Sequence, residues 1–288
     1  MANPNSSPSE IKTLPRLNGN LWRGKSWRLL ILPYLLFILI PIVALILRTP
    51  LSSLWVNLQS EQVIQALRLS LGTSIISVLV TILIGTPVAY YLSHPHYRLH
   101  HLVDTIVDLP TVLPPAVAGV ALLMAFGRRG LVGEWFSLLG FSIPFTPLAV
   151  IMAQTFIAAP FYIKSAALGF SAVSCELRRA AALDGASRWQ VFRFIILPMS
   201  VQAFLSGCAL TWARAMGEFG ATIIFAGNFP GRTQTMPLAI YIGFELDLDV
   251  ALTLSVIFIA FSFLVLVAVK GFLRKNASEI QSVHEPDW

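Results

Sequence analysis

Charge is scarce in this 288-residue chain: 12% of the residues are Asp, Glu, Lys or Arg, while 56% are hydrophobic. A soluble domain carries about 25% charged residues, so the deficit excludes an ordinary water-soluble globule. Cysteine is almost missing. Cys175 lies in a polar stretch and Cys208 in an apolar run, a poor disulfide pair, and both read as small packing residues. No Gly-x-x-x-x-Gly-Lys-Ser/Thr sequence occurs, so the chain lacks that route to ATP. No nucleophile–base set or metal-ligand spacing emerges, which argues against an enzyme. Basic residues outnumber acidic ones, 20 to 14. They are scattered at the ends of apolar runs, without the basic patch and interleaved aromatics of a nucleic-acid surface.

What is present is a series of long apolar runs. Six spans are expected, at 27–47, 66–92, 103–126, 147–170, 197–226 and 251–273. Each approaches or exceeds the length needed to cross about 30 Å of hydrocarbon. In lipid the backbone must satisfy its own hydrogen bonds, so the spans are helices and the fold class is all-α and polytopic. Pro87, Pro110, Pro114 and Pro115 fall in or near spans and should kink them. The Ser-, Asn- and Pro-rich residues 1–24 read as a disordered cytosolic tail, 25–275 as the transmembrane domain, and 276–288 as a cytosolic C-terminal tail. No convincing cleavage site follows the first run, which reads as a retained helix. An even span count places both termini on one side. Putting them inside collects most basic residues there, including Lys12, Arg16, Arg23, Lys164, Arg178, Arg179, Arg188, Lys270 and Arg274, as the positive-inside tendency requires.

The fourth and fifth spans are separated by a polar interruption at 175–198. Its first part holds Ala180, Ala181 and Ala182, and alanine is the strongest helix former. Gly185 then permits a sharp turn, since it lacks the Cβ that forbids positive φ. Beyond it Trp189, Phe192 and Ile196 recur at helical spacing as one apolar stripe. Pro198 marks entry to the next span. The stretch reads as a short helix-turn-helix suited to docking into a partner's groove.

This interruption resembles the cytoplasmic loop of type I importer permeases of the ATP-binding-cassette superfamily. Their signature is Glu-Ala-Ala, three residues, Gly, nine residues, then Ile-x-Leu-Pro. Ala180, Ala181, Gly185, Leu197 and Pro198 match it, with Asp184, Ala186, Ser187 and Trp189 around the turn. Arg179 stands where the family usually has glutamate, and Glu176 lies about one turn earlier. Three further stretches resemble the molybdate permease branch, with sulfate and tungstate permeases close behind. They are Arg-Ala-Met-Gly-Glu-Phe-Gly-Ala-Thr at 214–222, Gly-Asn…Pro-Gly-Arg-Thr-Gln-Thr…Pro-Leu-Ala-Ile-Tyr at 227–241, and Asp-Leu-Pro-Thr-Val-Leu-Pro-Pro-Ala-Val-Ala-Gly at 108–119 with Gly-Arg-Arg-Gly at 127–130. The resemblance implies a permease subunit, paired with a second copy in a likeness to homodimeric family members. Two cytosolic ATPases would dock on the loops and carry the ATP and Mg, leaving no cofactor on this chain. A periplasmic or lipid-anchored oxyanion-binding protein would deliver substrate, and the spans would rock in alternating access. Localisation would be the bacterial plasma (inner) membrane.

Two readings stay open for several residues. Arg214 and Glu218, four apart in the fifth span, either line the path or lock two helices. Gly217 and Gly220 would let a neighbouring helix come close. Arg128, Arg129 and Arg232, on the outer side, either receive the binding protein or sit in solvated turns; Glu245, Asp247 and Asp249 allow the same choice. His94, His96, His100 and His101 fit a solvated interfacial loop better than a metal site. Asp104 and Asp108 fit a helix N-terminus, where the dipole favours acids, better than a gate. Sulfate, thiosulfate or tungstate transport is the alternative within the family. An autonomous secondary transporter or channel is the alternative outside it, disfavoured by the docking loop.

Overall fold

The computed structural model describes residues 25–282, and the expected tail at 1–24 lies outside them. Helix α1 (Lys25–Arg48) forms one unit by itself. The second unit starts at Thr49. Its elements are α2 (Leu51–Leu58), α3 (Glu61–Leu92), α4 (His100–Val112), α5 (Pro115–Phe126), α6 (Gly133–Leu138), α7 (Pro147–Ala172), α8 (Cys175–Leu183) and α9 (Arg188–Val191). A π-helical turn (Phe192–Ile196) follows, then α10 (Leu197–Met199), α11 (Val201–Met216), α12 (Gly220–Phe225), α13 (Met236–Leu246) and α14 (Leu248–Ser282). All of the described secondary structure is helical.

Four described helices are long and apolar enough to cross a membrane, and the number rises to six if each of two bent pairs is one span. This agrees with the six expected runs, and corrects two of them. The run at 103–126 is not one helix: α4 and α5 meet at 114°. Pro114 and Pro115 enforce the break, because proline removes an amide donor and pushes the preceding residue out of the α region. The run at 197–226 is also broken. Residues 188–199 meet α11 at 72°, and α11 stops at Met216 before the separate short α12. The tail expected from 276 begins inside α14, and only 283–288 lie outside the described residues.

Helix α7 is the centre of the second unit and packs against α3, α4, α5, α11 and α12. Without a hydrophobic drive between helices in lipid, close approach depends on small side chains. The buried face of α3 supplies them as Ser70, Ser74, Ser77, Thr81, Gly85 and Ala89. Ser77 lies 3.1 Å from both the Ile151 carbonyl and Gln154 Oε1 of α7. Against α11, Ser165 donates to the Ala203 carbonyl at 2.7 Å, and Thr211 donates to that of Ala158 at 3.2 Å.

Two apolar clusters form along α7. Near its N-terminal end Ala149, Val150 and Ala153 pack with Leu122, Ile143 and Phe225. Near its C-terminal end Ile163, Ala166 and Phe170 pack with Leu92, Val191 and Ile196. Since α7 has 26 residues, a rise of 1.5 Å per residue separates these ends by about 39 Å.

Candidate functional site

The polar interruption folds at the C-terminal end of α7. Ser174 caps α8, its hydroxyl accepting from the Leu177 amide. The helix ends in a paired-bond turn: Gly185 N–H donates to the Ala182 carbonyl at 3.2 Å, and Ala186 N–H donates to the Ala181 carbonyl at 3.0 Å. That pattern needs a left-handed residue after the cap, and Gly185 has φ +86°. Asp184 is the cap itself. Ser187 opens α9 with a reciprocal capping box: its hydroxyl accepts from Gln190 N–H, and Gln190 Oε1 accepts from Ser187 N–H at 2.7 Å. Both ends of the turn are therefore fixed by local chemistry.

The turn is tied to the body from both sides. Ala181, Ala186 and Leu197 pack on the core around Phe170, Val191 and Ile196. Arg178 donates through Nη2 to the Phe170 carbonyl at 2.6 Å and the Val173 carbonyl at 2.8 Å, and its Nη1 lies 3.4 Å from His94 Nε2. It thus satisfies carbonyls at the end of α7 that have no helical partner. Sequence reading missed this role; a cation a few residues past a helix end was the available signal.

The apolar stripe expected from Trp189, Phe192 and Ile196 is divided. Ile196 is buried, and Phe192 meets Tyr90 and Phe170 edge-on. Only Trp189, 65% exposed, faces outward, stacked on Phe192. The division falls where α9, which carries Trp189, passes into the π turn that Phe192 opens and Ile196 closes. Leu183, Trp189 and Phe194 are left as an exposed apolar rim. A hollow of about 340 Å³ lies among Asp184, Gly185, Ala186, Gln190, Val191, Phe194 and Ile195. Ala180, Ser187 and Pro198 are exposed as well.

Arg214 and Glu218 meet as a brace. Arg214 Nη1 donates to Glu218 Oε2 at 2.9 Å, while Glu218 Oε1 accepts from the Ala221 amide at 2.8 Å. Glu218 does not share a helix with Arg214 as expected, for it lies in the break after α11. Its side chain is buried, and it joins the end of α11 to the start of α12. Gly220 is where the close approach occurs, since a Cβ there would stand 2.7 Å from Pro115 Cβ. Gly217 meets no neighbouring helix in this way.

At the other end of α7, Arg128 and Arg129 follow α5 and Arg232 follows α12; all three are exposed. Arg128 Nε donates to Ser142 Oγ at 3.2 Å. The adjoining loop is held by Phe145, whose positive φ of 61° points its amide at the Phe225 carbonyl. Asp247 caps the start of α14 through Oδ1, and Asp249 accepts from Ser53. Glu245 is exposed.

Three placements differ from expectation. Lys164, counted with the inner basic residues although within the fourth run, lies inside α7, about two turns before its end. Asp104 and Asp108 are not chiefly dipole partners, because Lys164 Nζ bridges them at 2.6 and 2.8 Å. His94 bonds through Nδ1 with the Tyr90 carbonyl and Ser93 Oγ and sits against Arg178, so it belongs to the packing under α8. His100 and His101 meet edge to face.

The family model for the inner membrane component of binding-protein-dependent transport systems matches residues 81–276. A probable transport system permease protein, NifC of Clostridium pasteurianum, is 36% identical over 244 residues, covering 84% of this chain and 85% of that protein. The molybdenum transport system permease protein ModB of Mycobacterium tuberculosis is 37% identical over 208 residues, covering 72% and 79%. The ModB protein of Escherichia coli K12 is 38% identical over 181 residues, covering 62% and 78%. Among solved structures, a chain of a bacterial alginate ABC transporter in complex with an alginate-bound periplasmic protein superposes with a TM-score of 0.70 at 19% identity, covering 90% of this chain and 98% of that one. A chain of the inward-facing MetNI methionine ABC transporter gives 0.59 at 20% identity, covering 75% and 99%. At these identities the structural likeness speaks to the fold. With most of the chain matched by family model and relatives alike, this protein belongs to the inner membrane components of binding-protein-dependent transport systems, and is a multi-pass ABC transporter permease.

Proposed function

We propose that this chain is the membrane subunit of an ATP-driven importer of molybdate. The observation that carries the coupling half of this reading is the capped turn around Gly185, which offers Leu183, Trp189, Phe194 and a hollow beside them. A rigid, apolar, exposed turn at a helix-bundle end is a surface built for a partner's groove. In this reading the groove belongs to a separate ATPase, which holds the ATP and Mg. The molybdate half is supported by the relatives named as molybdenum permeases.

The remaining parts belong to the same reading. The coupling turn and both chain termini face the cytosol. Arg128, Arg129 and Arg232 at the opposite end face the periplasm, where a loaded binding protein docks. Two copies of the chain enclose the passage. Arg214 and Glu218 act as a structural brace, because the arginine's charge is spent on a buried carboxylate that also holds α12.

The complex with its ATPase in nanodiscs provides the test. Molybdate-loaded binding protein should stimulate ATP hydrolysis, and removal of the Trp189 side chain should abolish the stimulation. Stimulation that is indifferent to the ligand on the binding protein, or intact without Trp189, would contradict the reading.

A further inference from the structure

The central helix α7 has one open face. Its contacts with α11 run through Ala158, Tyr162, Ser165 and Gly169. Its contact with α4 runs through Lys164. Phe161 and Leu168, three residues before and four after Lys164, remain exposed, on the same helix face. The Lys164, Asp104 and Asp108 side chains are themselves 34–45% exposed. Lys164 lies about two turns inside a membrane-crossing helix and Asp108 about two turns inside α4.

Ionisable groups at that depth do not face lipid; they face protein or a water-filled cavity. The mutual pairing of the cluster does not remove this requirement, since a third or more of each side chain stays uncovered. We propose that this open face of α7 lines the inner half of the passage, and that Lys164, Asp104 and Asp108 are its charge-setting group. The inference rests on the oxyanion reading above.

One lysine and two aspartates give the group a net charge of −1. A bare lysine would hold a tetrahedral dianion. A lysine already bridged by two carboxylates offers donors to the anion's oxygens while the surrounding charge opposes retention. The group therefore lets the oxyanion pass inward without trapping it. It differs from the Arg214–Glu218 pair, in which the carboxylate is buried and joins α11 to α12.

Two measurements on the full, nucleotide-free complex test this. In a Cys175→Ser, Cys208→Ser background, Phe161→Cys should react with a membrane-impermeant maleimide from the cytosolic side about tenfold faster than Leu83→Cys. Leu83 lies at a similar distance from the inner end of α3, in an exposed stripe with Ile76 and Leu79 that carries no charge. Equal labelling of the two would overturn the placement. In equilibrium dialysis at low salt without binding protein, Asp104→Asn/Asp108→Asn should bind labelled molybdate about tenfold more tightly than the parent, and Lys164→Arg should match the parent. No gain of binding would overturn the charge role, because a purely structural ion pair yields no new affinity when neutralised. Asp108→Asn alone, with a smaller gain, serves if the double variant fails to assemble. A gain for sulfate and not for molybdate would support the cluster while sinking the molybdate assignment, and the labelling arm stands whichever anion is carried.

Discussion

Gly185 has nothing within 4 Å of where a Cβ would project, so its role is purely conformational at φ +86°. Replacing it with valine should cost about 1–2 kcal/mol of local backbone strain and disorganise the turn without disturbing membrane insertion. Asparagine, which tolerates that region, should lose less. ATPase stimulation in the reconstituted complex, ordered Gly, Asn, Val, would bear this out; an intact valine variant would contradict it. Arg178 acts from beneath the same turn. Arg178→Ala removes two charge-assisted bonds to carbonyls, at about 1.5–3 kcal/mol each by general experience. Faster proteolysis within 175–198, with the rest of the chain still protected, is the expected signature. Arg214 and Glu218 call for a double-mutant cycle. Arg214→Ala strands a buried carboxylate and should destabilise the permease by about 3–5 kcal/mol. Once Glu218 is already alanine, the same change should cost far less. Additive losses in detergent melts would show the two do not act as a unit.

At the level of elements, much was readable and the breaks were not. Length and apolarity placed six runs, and six crossings are what the helices allow when the bent pairs are joined. Hydropathy averages over a window and carries no information about a bend inside it. Pro114 and Pro115 did signal the first break, because proline acts locally. The stop at Met216 had no comparable breaker: Gly217 and Gly220 are tolerated in membrane helices, and the break depends on Glu218 turning back to cap α12. For the turn around Gly185, motif spacing gave the Gly185 conformation, but not the capping roles of Ser174, Asp184 and Ser187, although these are local too. It did not give the division of the Trp189–Phe192–Ile196 stripe, since spacing shows which residues share a face and not how much of that face the body covers. Nor did it give Arg178 with His94 or Lys164 with Asp104 and Asp108, pairs separated by 56 to 84 positions along the chain. The α5–α12 contact makes a prediction of its own. A Cβ on Gly119 would stand 2.9 Å from the Ala221 carbonyl and from Ile224 Cβ. Gly119→Leu should therefore overpack the contact and destabilise by about 1–3 kcal/mol, lowering the melting temperature of the purified chain. An unchanged melt would mean that α5 and α12 are free to separate.

At the scale of the whole molecule, α7 sets the axis. It carries the capped turn around Gly185 at one end, the arginine-bearing loops at the other, and a charged open face between them. On the proposed reading, transport requires a separate ATPase working on one end and a loaded binding protein on the other. The most direct measurement is uptake of labelled molybdate into proteoliposomes holding this chain, its co-expressed ATPase and its binding protein, with sulfate and tungstate as competitors. Uptake that requires ATP and yields to tungstate but not to excess sulfate is the predicted result. Uptake without ATP would contradict the importer mechanism, and uptake abolished by sulfate would contradict the molybdate assignment.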